Sequence, residues 1–271
     1  MPAYWVAALT QEWSLTASRV AASAQAAGQI IAERFAAAAT AAESKDGGKG
    51  EVTQTDLDAE AAVLDTLRSG SGYAVLSEEA GGGRDSGDGL WIIDPLDGTT
   101  NFSRGIPLFA VSIALMRERH VELGVIYHPV TGQTYWAERG RGAWCDGERL
   151  QVSEVVDPSL AVLYLTHGYP PPDRQRYGAA LSRFAPTSYP RSMGSTAVEL
   201  SWVAAGKGDA WACSGDELWD FTAGLVLIEE AGGRMTDWRG RDWDGESLFT
   251  AFSNGHLHDY VVGTIADLQP E

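Results

Sequence analysis

The chain has 271 residues, 44 % hydrophobic and 21 % charged, with a formal net charge of −17. That length buries a sizeable core as one large domain or two intimate halves. The negative charge disfavours nucleic acid and anionic membranes as partners, since both need basic patches.

Residues 4–42 are alanine-rich and free of internal proline, which predicts one long helix with Gly28 as a point of interruption. KDGGKGE (45–51) is a glycine-rich connection. TQTDLDAEAAVLDTLRSG (53–70) predicts a second helix, N-capped by Thr55 or Asp56, apolar at 57, 63, 64 and 67, and stopped by glycine. YAVLS (73–77) and LWIID (90–94) predict short buried strands. Pro95 fixes φ and donates no ladder hydrogen bond, so the second strand is expected to stop there. From 106 to 150 the pattern is β: LFAVSIALMRE, VELGVIYHP, QTYWAER and GAWCDGERL, with turns at Arg119-His120, Thr131-Gly132, Gly140-Arg141 and Asp146-Gly147. After about 151 strands and helices alternate. LAVLYLT is a strand, 173–184 a helix, STAVELSWVAAGKG a helix and DAWAC a strand. A helix over 219–231 ends at Gly232-Gly233, SLFTAFS is a strand, and 256–267 is a last helix. This alternation predicts a layered α/β second half. The expected division is 1–150, an α+β half, and 151–271, an α/β half.

No run of about 18 apolar residues exists, so no transmembrane helix is expected. The first twenty residues lack a basic stretch ahead of an apolar core, so no signal peptide is expected either. Cys145 and Cys213 form no CxxC pair; a reduced, cytoplasmic protein is the expectation.

WIIDPLDGTTN (91–101) is the sharpest chemical signal. An apolar strand runs into Asp94 and Asp97, and Asp-x-x-Asp on a rigid turn brings two hard oxygen ligands near one point, as Mg²⁺ requires. Gly98 lets the backbone approach a ligand closely. Gly98-Thr99-Thr100 can open a short helix whose free N–H groups face an anion. The combination suits a phosphate held beside cations; a strand–turn with aspartates in Asx-turns is the plainer reading. Glu78 and Glu79 end the earlier strand, and neighbouring like charges repel unless solvated or shared with a cation. Asp220 and Asp56 each stand at a helix start, which an N-cap alone would explain. There is no GxGxxG opening a helix, no GxSxG, no P-loop and no HExxH. His120, His128, His167, His256 and His258 read as surface or structural. Lys45 and Lys49 flank glycines in a solvated loop. DWRGRDWDG (237–245) reads as a turn, and THGYPPPDRQRYG (166–178) is a proline-rich segment that can border a pocket.

Taken together, WIIDPLDGTTNF (91–102) and LWDFTAGLVLIEEAGG (218–233) resemble the two signatures of the inositol monophosphatase family of lithium-sensitive, Mg²⁺-dependent phosphatases. GVIYHPVTGQTYWAERGRGAWCDGERLQVS (124–153), KDGGKGEVTQTD (45–56) and RSMGSTAVE (191–199) extend the resemblance over about 45–233. It implies the layered αβαβα sandwich shared with fructose-1,6-bisphosphatase, a homodimer, a small phosphate-ester substrate and two or three Mg²⁺ ions. Residue by residue, it implies that Glu78 ligates a metal and helps set the attacking water, and that Asp94 bridges two metals. The Leu96 carbonyl would complete the first metal's shell, and Asp97 and Asp220 would hold the second metal. Thr99, backed by Asp56, would hydrogen-bond the nucleophilic water. Gly98 and Thr99 N–H groups would hold the phosphate, and Gly194, Ser195 and Thr196, with Asp97 and Asp220, would meet the substrate. Glu79 would lie just behind the ligands or beside a weakly bound metal, and Lys45 near the site.

The chemistry so implied is an in-line attack by metal-activated water without a phospho-enzyme. Metal loading would also let an acidic cluster receive an anion. The expected activity is hydrolysis of a small polyol or sugar phosphate of the inositol 1-phosphate kind. Histidinol phosphate, fructose 1,6-bisphosphate or a 3′-phosphonucleotide are the alternatives, with Arg104, Arg174, Arg176 and Arg191 as candidates for a second phosphate. A catalytically silent metal- or phosphate-binding module is the non-enzymatic alternative. The chain departs from the family at Cys213: inositol-preferring members carry Glu at that position, seven residues before the second-signature Asp. Asp216 or Glu217 could stand in for it.

Overall fold

The computed structural model describes residues 14–37, 43–44, 51–68, 71–83 and 88–270, with backbone alone at 43–44 and 51–52. Small and apolar residues carry helix α1 (Leu15–Ala37) straight through Gly28. The glycine marks a contact rather than an interruption, since a Cβ there would come within 2.2 Å of the Tyr127 ring. The remainder of the helix expected over 4–42, and the connection carrying Lys45 and Lys49, lie outside the described residues. Strands β1 (Glu43–Ser44) and β2 (Glu51–Val52) pair antiparallel. Helix α2 (Gln54–Arg68) begins before the expected cap. Thr53, not Thr55 or Asp56, precedes its first turn, and its hydroxyl accepts the Thr55 N–H at 3.1 Å. Asp56 reaches back to accept the Thr53 N–H (2.8 Å) and hydroxyl (2.6 Å), the reciprocal arrangement of a capping box.

The first sheet runs β3 (Ala74–Ser77), β4 (Leu90–Asp97), β5 (Ala110–Arg117), β6 (His120–His128), β7 (Gln133–Glu138), β8 (Ala143–Cys145) and β9 (Glu148–Arg149), each beside the next. Only β3 and β4 are parallel. Pro95 does not end β4. The pairing passes from Asp94↔Ser112 to Asp97↔Ala110, with one extra residue on β4, and this bulge absorbs the N–H that proline lacks. The β5–β6 turn falls on Glu118 and Arg119, both at positive φ, and His120 already belongs to β6.

The second sheet contains β10 (Val162–His167), β11 (Tyr189–Arg191), β12 (Ala210–Ser214), β13 (Arg234–Asp237) and β14 (Phe249–Ser253), in the order β11-β10-β12-β14-β13. β10 is parallel to both its neighbours, while β14 is antiparallel to β12 and β13. The sequence pattern did not announce β11 or β13. Both are short edge strands, and β11 contains Pro190. After β4 comes the short helix α3 (Thr99–Ser103), followed later by α4 (Pro171–Phe184), α5 (Thr196–Ala204), α6 (Leu218–Glu230) and α7 (His258–Ile265).

Three apolar clusters define five layers. Alternate β4 residues split between two of them: Trp91 and Ile93 face α1 and α2, while Leu90 and Ile92 face α5 and α6. A strand buried on both faces reads as a continuous apolar run, which is why LWII has no polar alternation. The third cluster joins the second sheet to α4 and α7. The architecture is the expected αβαβα sandwich, with α5 and α6 between the sheets. No helix among the described residues is long and apolar enough to cross a membrane.

At Gly124 β6 approaches α6 closely. A Cβ there would stand 2.4 Å from Ala223 O and 2.7 Å from Val226 Cγ1, both on α6. Gly124→Ala should therefore destabilise the fold by about 1–3 kcal/mol through overpacking. In urea unfolding the midpoint should fall with the slope unchanged.

Candidate metal centre and active site

The β4 bulge, the start of α3 and the first turns of α5 and α6 meet at one cavity of about 260 Å³. Asp94 is 1 % exposed, and its Oδ1 accepts the Leu96 N–H at 2.9 Å. Asp97 crosses to the second half of the chain. It accepts the Ser195 hydroxyl, the Ala197 N–H at 2.8 Å and the Thr196 N–H at 3.2 Å. These donors open α5, so a carboxylate from the first sheet satisfies a helix start on the other side of the site. Asp220 is the third residue of α6 rather than its N-cap. Glu217 is the N-cap, and its N–H donates to Asp220 Oδ2 at 2.7 Å in a second capping box. Asp56, in the same position on α2, keeps Oδ1 for the Thr99 hydroxyl at 3.0 Å. That hydroxyl also lies 3.1 Å from the Leu96 carbonyl.

One oxygen each from Asp94, Asp97 and Asp220 lies within 4.8 Å of the others. Glu78 lines the same cavity, as do Leu96, Gly98, Thr99, Gly194, Ser195 and Thr196. Burial raises the Asp94 carboxyl well above its ordinary value, and the charges of Glu78, Asp97 and Asp220 push it further. Burial likewise raises Asp220, followed by the charges of Asp216, Glu78 and Asp97. Asp97 is pushed up to about 7 by burial, against the pull of its Ser195 and Ala197 donors. No lysine or arginine is among the described residues lining the cavity. An all-oxygen, anionic donor set without a basic partner fits a hard divalent cation, which would supply the missing positive charge.

Of the remaining expected residues, Asp56 stands behind Thr99, Glu79 does not line the cavity, and Lys45 lies outside the described residues. Cys213 is fully buried, and its Sγ accepts the Asp216 N–H at 3.1 Å. Asp216 lines the cavity instead, with Oδ2 accepting from Thr196 Oγ1 (2.9 Å) and Thr166 Oγ1 (3.3 Å). Glu217 is engaged in the α6 cap.

Thr166, His167 and Tyr169, at the head of the proline-rich segment, also line the wall. His167 therefore borders the cavity rather than serving only the surface or the fold. His128 and His258 are buried and bonded to Ser201 and to Thr236 and Ser253. The signal for the missed wall was topological. β10 and β12 are parallel, and ligands of open α/β sheets lie beyond the carboxyl ends of such strands. Both cysteines are free thiols.

A model of the inositol monophosphatase family matches residues 13–269. A fructose-1,6-bisphosphatase/inositol-1-monophosphatase of Thermotoga maritima is 36 % identical over 231 residues, covering 84 % of this chain and 88 % of that protein. An inositol-1-monophosphatase of Mesorhizobium japonicum is 43 % identical over 196 residues, covering 70 % and 73 %. The crystal structure of extragenic suppressor protein suhB from Bartonella henselae superposes with a TM-score of 0.86 at 30 % identity, covering 93 % of this chain and 98 % of that one.

Proposed function

Since the chain belongs to the inositol monophosphatase family, we propose that it is a Mg²⁺-dependent phosphomonoesterase acting on a small polyol or sugar phosphate. The observation that carries this reading is the meeting of three carboxylates, Asp94 and Asp97 buried and Asp220 half-buried, with the Thr99–Asp56 pair in a cavity that no lysine or arginine lines among the described residues. Glu78, Asp94, Asp97 and Asp220, with the Leu96 carbonyl, would hold two or three Mg²⁺ ions. When bound, such ions neutralise the phosphate and make water more acidic.

The chain's own residues do the rest. Gly98, at φ 93°, turns the backbone into α3 and leaves no room for a Cβ, which would press on Leu108 O at 3.0 Å and Ser195 Cβ at 3.1 Å. Its N–H and that of Thr99 are the proposed phosphate seat. Thr99 Oγ1 donates to Asp56, so its lone pairs are turned to accept a proton from water. Burial raises the Asp56 carboxyl against its hydrogen bonds, which makes it a better proton acceptor. The water oxygen bonds to phosphorus as the ester P–O bond breaks. One water proton passes to Thr99 as the Thr99 proton passes to Asp56, and the alcohol leaves with the bond's electron pair and is protonated from solvent. Neither cysteine is set as a nucleophile: burial pushes the Cys145 thiol up to about 11 and raises Cys213 well above its ordinary value.

A monophosphate is favoured over a bisphosphate. None of Arg104, Arg174, Arg176 and Arg191 lines the cavity. Arg176 is paired with Asp173 at 2.9 Å and lies 5.5 Å from the centre of the Phe249 ring.

The test is phosphate release from a panel of monoesters with and without Mg²⁺; binding of Mg²⁺ without turnover on any of them would leave only the silent binding module. Thr99→Ala should lower kcat by about 10²-fold or more with a smaller change in KM. A KM effect alone would place Thr99 in binding only. The homodimer expected from the resemblance belongs to the same proposal and is read by light scattering.

A further inference from the structure

Helix α2 reaches the site at two points. Asp56 accepts the Thr99 hydroxyl at 3.0 Å. Glu60 follows four residues later on the same face. It is 6 % exposed, yet it does not line the cavity. It reaches instead the turn that carries Glu78. Ser77 and Gly81 close that turn by exchanging backbone hydrogen bonds of 2.9 Å, with Glu78, Glu79 and Ala80 between them. One oxygen of Glu60, Oε1, receives a donor from each limb of the turn: the Ser77 hydroxyl and, at 2.8 Å, the Ala80 N–H. Ser77 is fully buried, so its hydroxyl has to find an acceptor inside the protein.

The other acids of the proposed centre stand on elements held from both sides. Asp94 and Asp97 lie on β4, which pairs with β3 and β5, and Asp220 lies in the first turn of α6, between the sheets. Glu78 comes just after β3, a four-residue strand at the edge of the first sheet. Its N–H donates to Ile93 O at 3.1 Å, which fixes where the turn begins. The far limb, at Ala80, is tied to α2 through Glu60.

We infer that Glu60 is a positioning residue, which sets the turn so that the Glu78 carboxylate meets Mg²⁺ at the proposed centre. With Asp56 on the same face, α2 becomes the common mount of Glu78 and Thr99, the two side chains proposed to flank the attacking water. The inference rests on the metal-centre reading and adds a residue outside both family signatures. The role is one of place rather than charge. Both partners of Oε1 are neutral donors, and a carboxamide carries an oxygen at the same reach. Aspartate keeps the charge but is one methylene short.

The test is Mg²⁺ binding by titration calorimetry, on wild type, Glu60→Asp, Glu60→Gln and Ser77→Ala, without substrate. Glu60→Asp should weaken binding about tenfold, the loss expected when a group that orients a ligand is displaced. Glu60→Gln should stay within about threefold of wild type, because the acceptor stays in place. Ser77→Ala removes one of the two links and no charge, and should weaken binding by about threefold or more. With p-nitrophenyl phosphate, the Mg²⁺ concentration for half-maximal turnover should rise in step, while the KM for the ester at saturating Mg²⁺ changes little. Wild-type affinity in both Glu60→Asp and Ser77→Ala overturns the inference. So does loss of binding in folded Glu60→Gln, which would make charge the working property. Wild-type protein that binds no Mg²⁺ removes the metal-centre reading as well. Ser77→Ala, which leaves Glu60 intact, decides the matter if Glu60→Asp does not fold.

Discussion

Asp94→Asn should lower Mg²⁺-dependent turnover by ~10³-fold or more while raising the melting temperature of the metal-free protein by about 2–6 °C. The two effects have one cause. Asp94 is wholly enclosed, and its carboxyl is raised by burial and by the charges of Glu78, Asp97 and Asp220. Without a cation the site is a buried cluster of like charges, which opposes folding. Asparagine keeps the acceptor that binds the Leu96 N–H and removes one of those charges. It would also remove an anionic oxygen from the proposed metal site, which a neutral amide or water does not replace in charge. Scanning calorimetry in EDTA beside single-turnover phosphate release would show both effects. A variant that loses activity and also melts earlier without metal would mean that the carboxylate serves the fold, and the metal-centre reading would fail.

The second large effect is on how stability depends on pH and on metal. Asp97, ordinarily near 3.8, is pushed up to about 7 in the folded protein, first by burial. Between those values the folded state holds a proton that the unfolded chain has released, so stability falls as pH rises through the window, by about 4 kcal/mol at most. Asp94 and Asp220 are raised as well and act in the same direction. His128 and His258 act oppositely. Burial drops each from 6.5 to about 4, so the unfolded chain holds their protons between 4 and 6.5. Stability from these two is complete above 6.5 and is lost as pH falls toward 4, by up to about 3 kcal/mol each.

The opposing sets overlap below pH 6.5. Above 6.5 only the acids still titrate. Metal-free protein should therefore melt progressively earlier from pH 6.5 upward, and saturating Mg²⁺ should abolish that decline by displacing the shared protons. The rise in melting temperature on adding Mg²⁺ should be small at about pH 5 and largest at about pH 8. A metal increment independent of pH would mean that the ions bind elsewhere.

The layers were legible because the chain states them twice, in the strand–helix alternation after residue 151 and in turn residues between β5 and β9. The details that place the chemistry were harder to read. Pro95 looked like a strand end because a proline's missing N–H is visible in sequence, whereas the bulge that accommodates it depends on the register with β5. Asp56 and Asp220 looked like N-caps because the residues that actually cap, Thr53 and Glu217, are recognisable only once the helix start is fixed. The two acids on β4 proposed as metal ligands were conspicuous since four residues of local sequence hold both of them. Thr166, His167 and Tyr169 were noted only as part of a segment that could border the pocket, for they reach the site through parallel pairing of β10 with β12, a long-range contact with no local signature.

The grip of Asp97 on the start of α5 also sets an order of assembly. Three acids of the proposed centre, Glu78, Asp94 and Asp97, leave the ribosome early, yet Asp97 finds its hydrogen-bond donors only when residues 195–197 arrive, and the fourth acid arrives only with Asp220. A nascent chain shorter than about 220 residues would offer Mg²⁺ an incomplete, solvated set of carboxylates, to which that ion binds weakly. On the metal-centre reading, tight metal uptake would be a late event in biosynthesis, and truncated products would be denied the cation that stabilises the finished site.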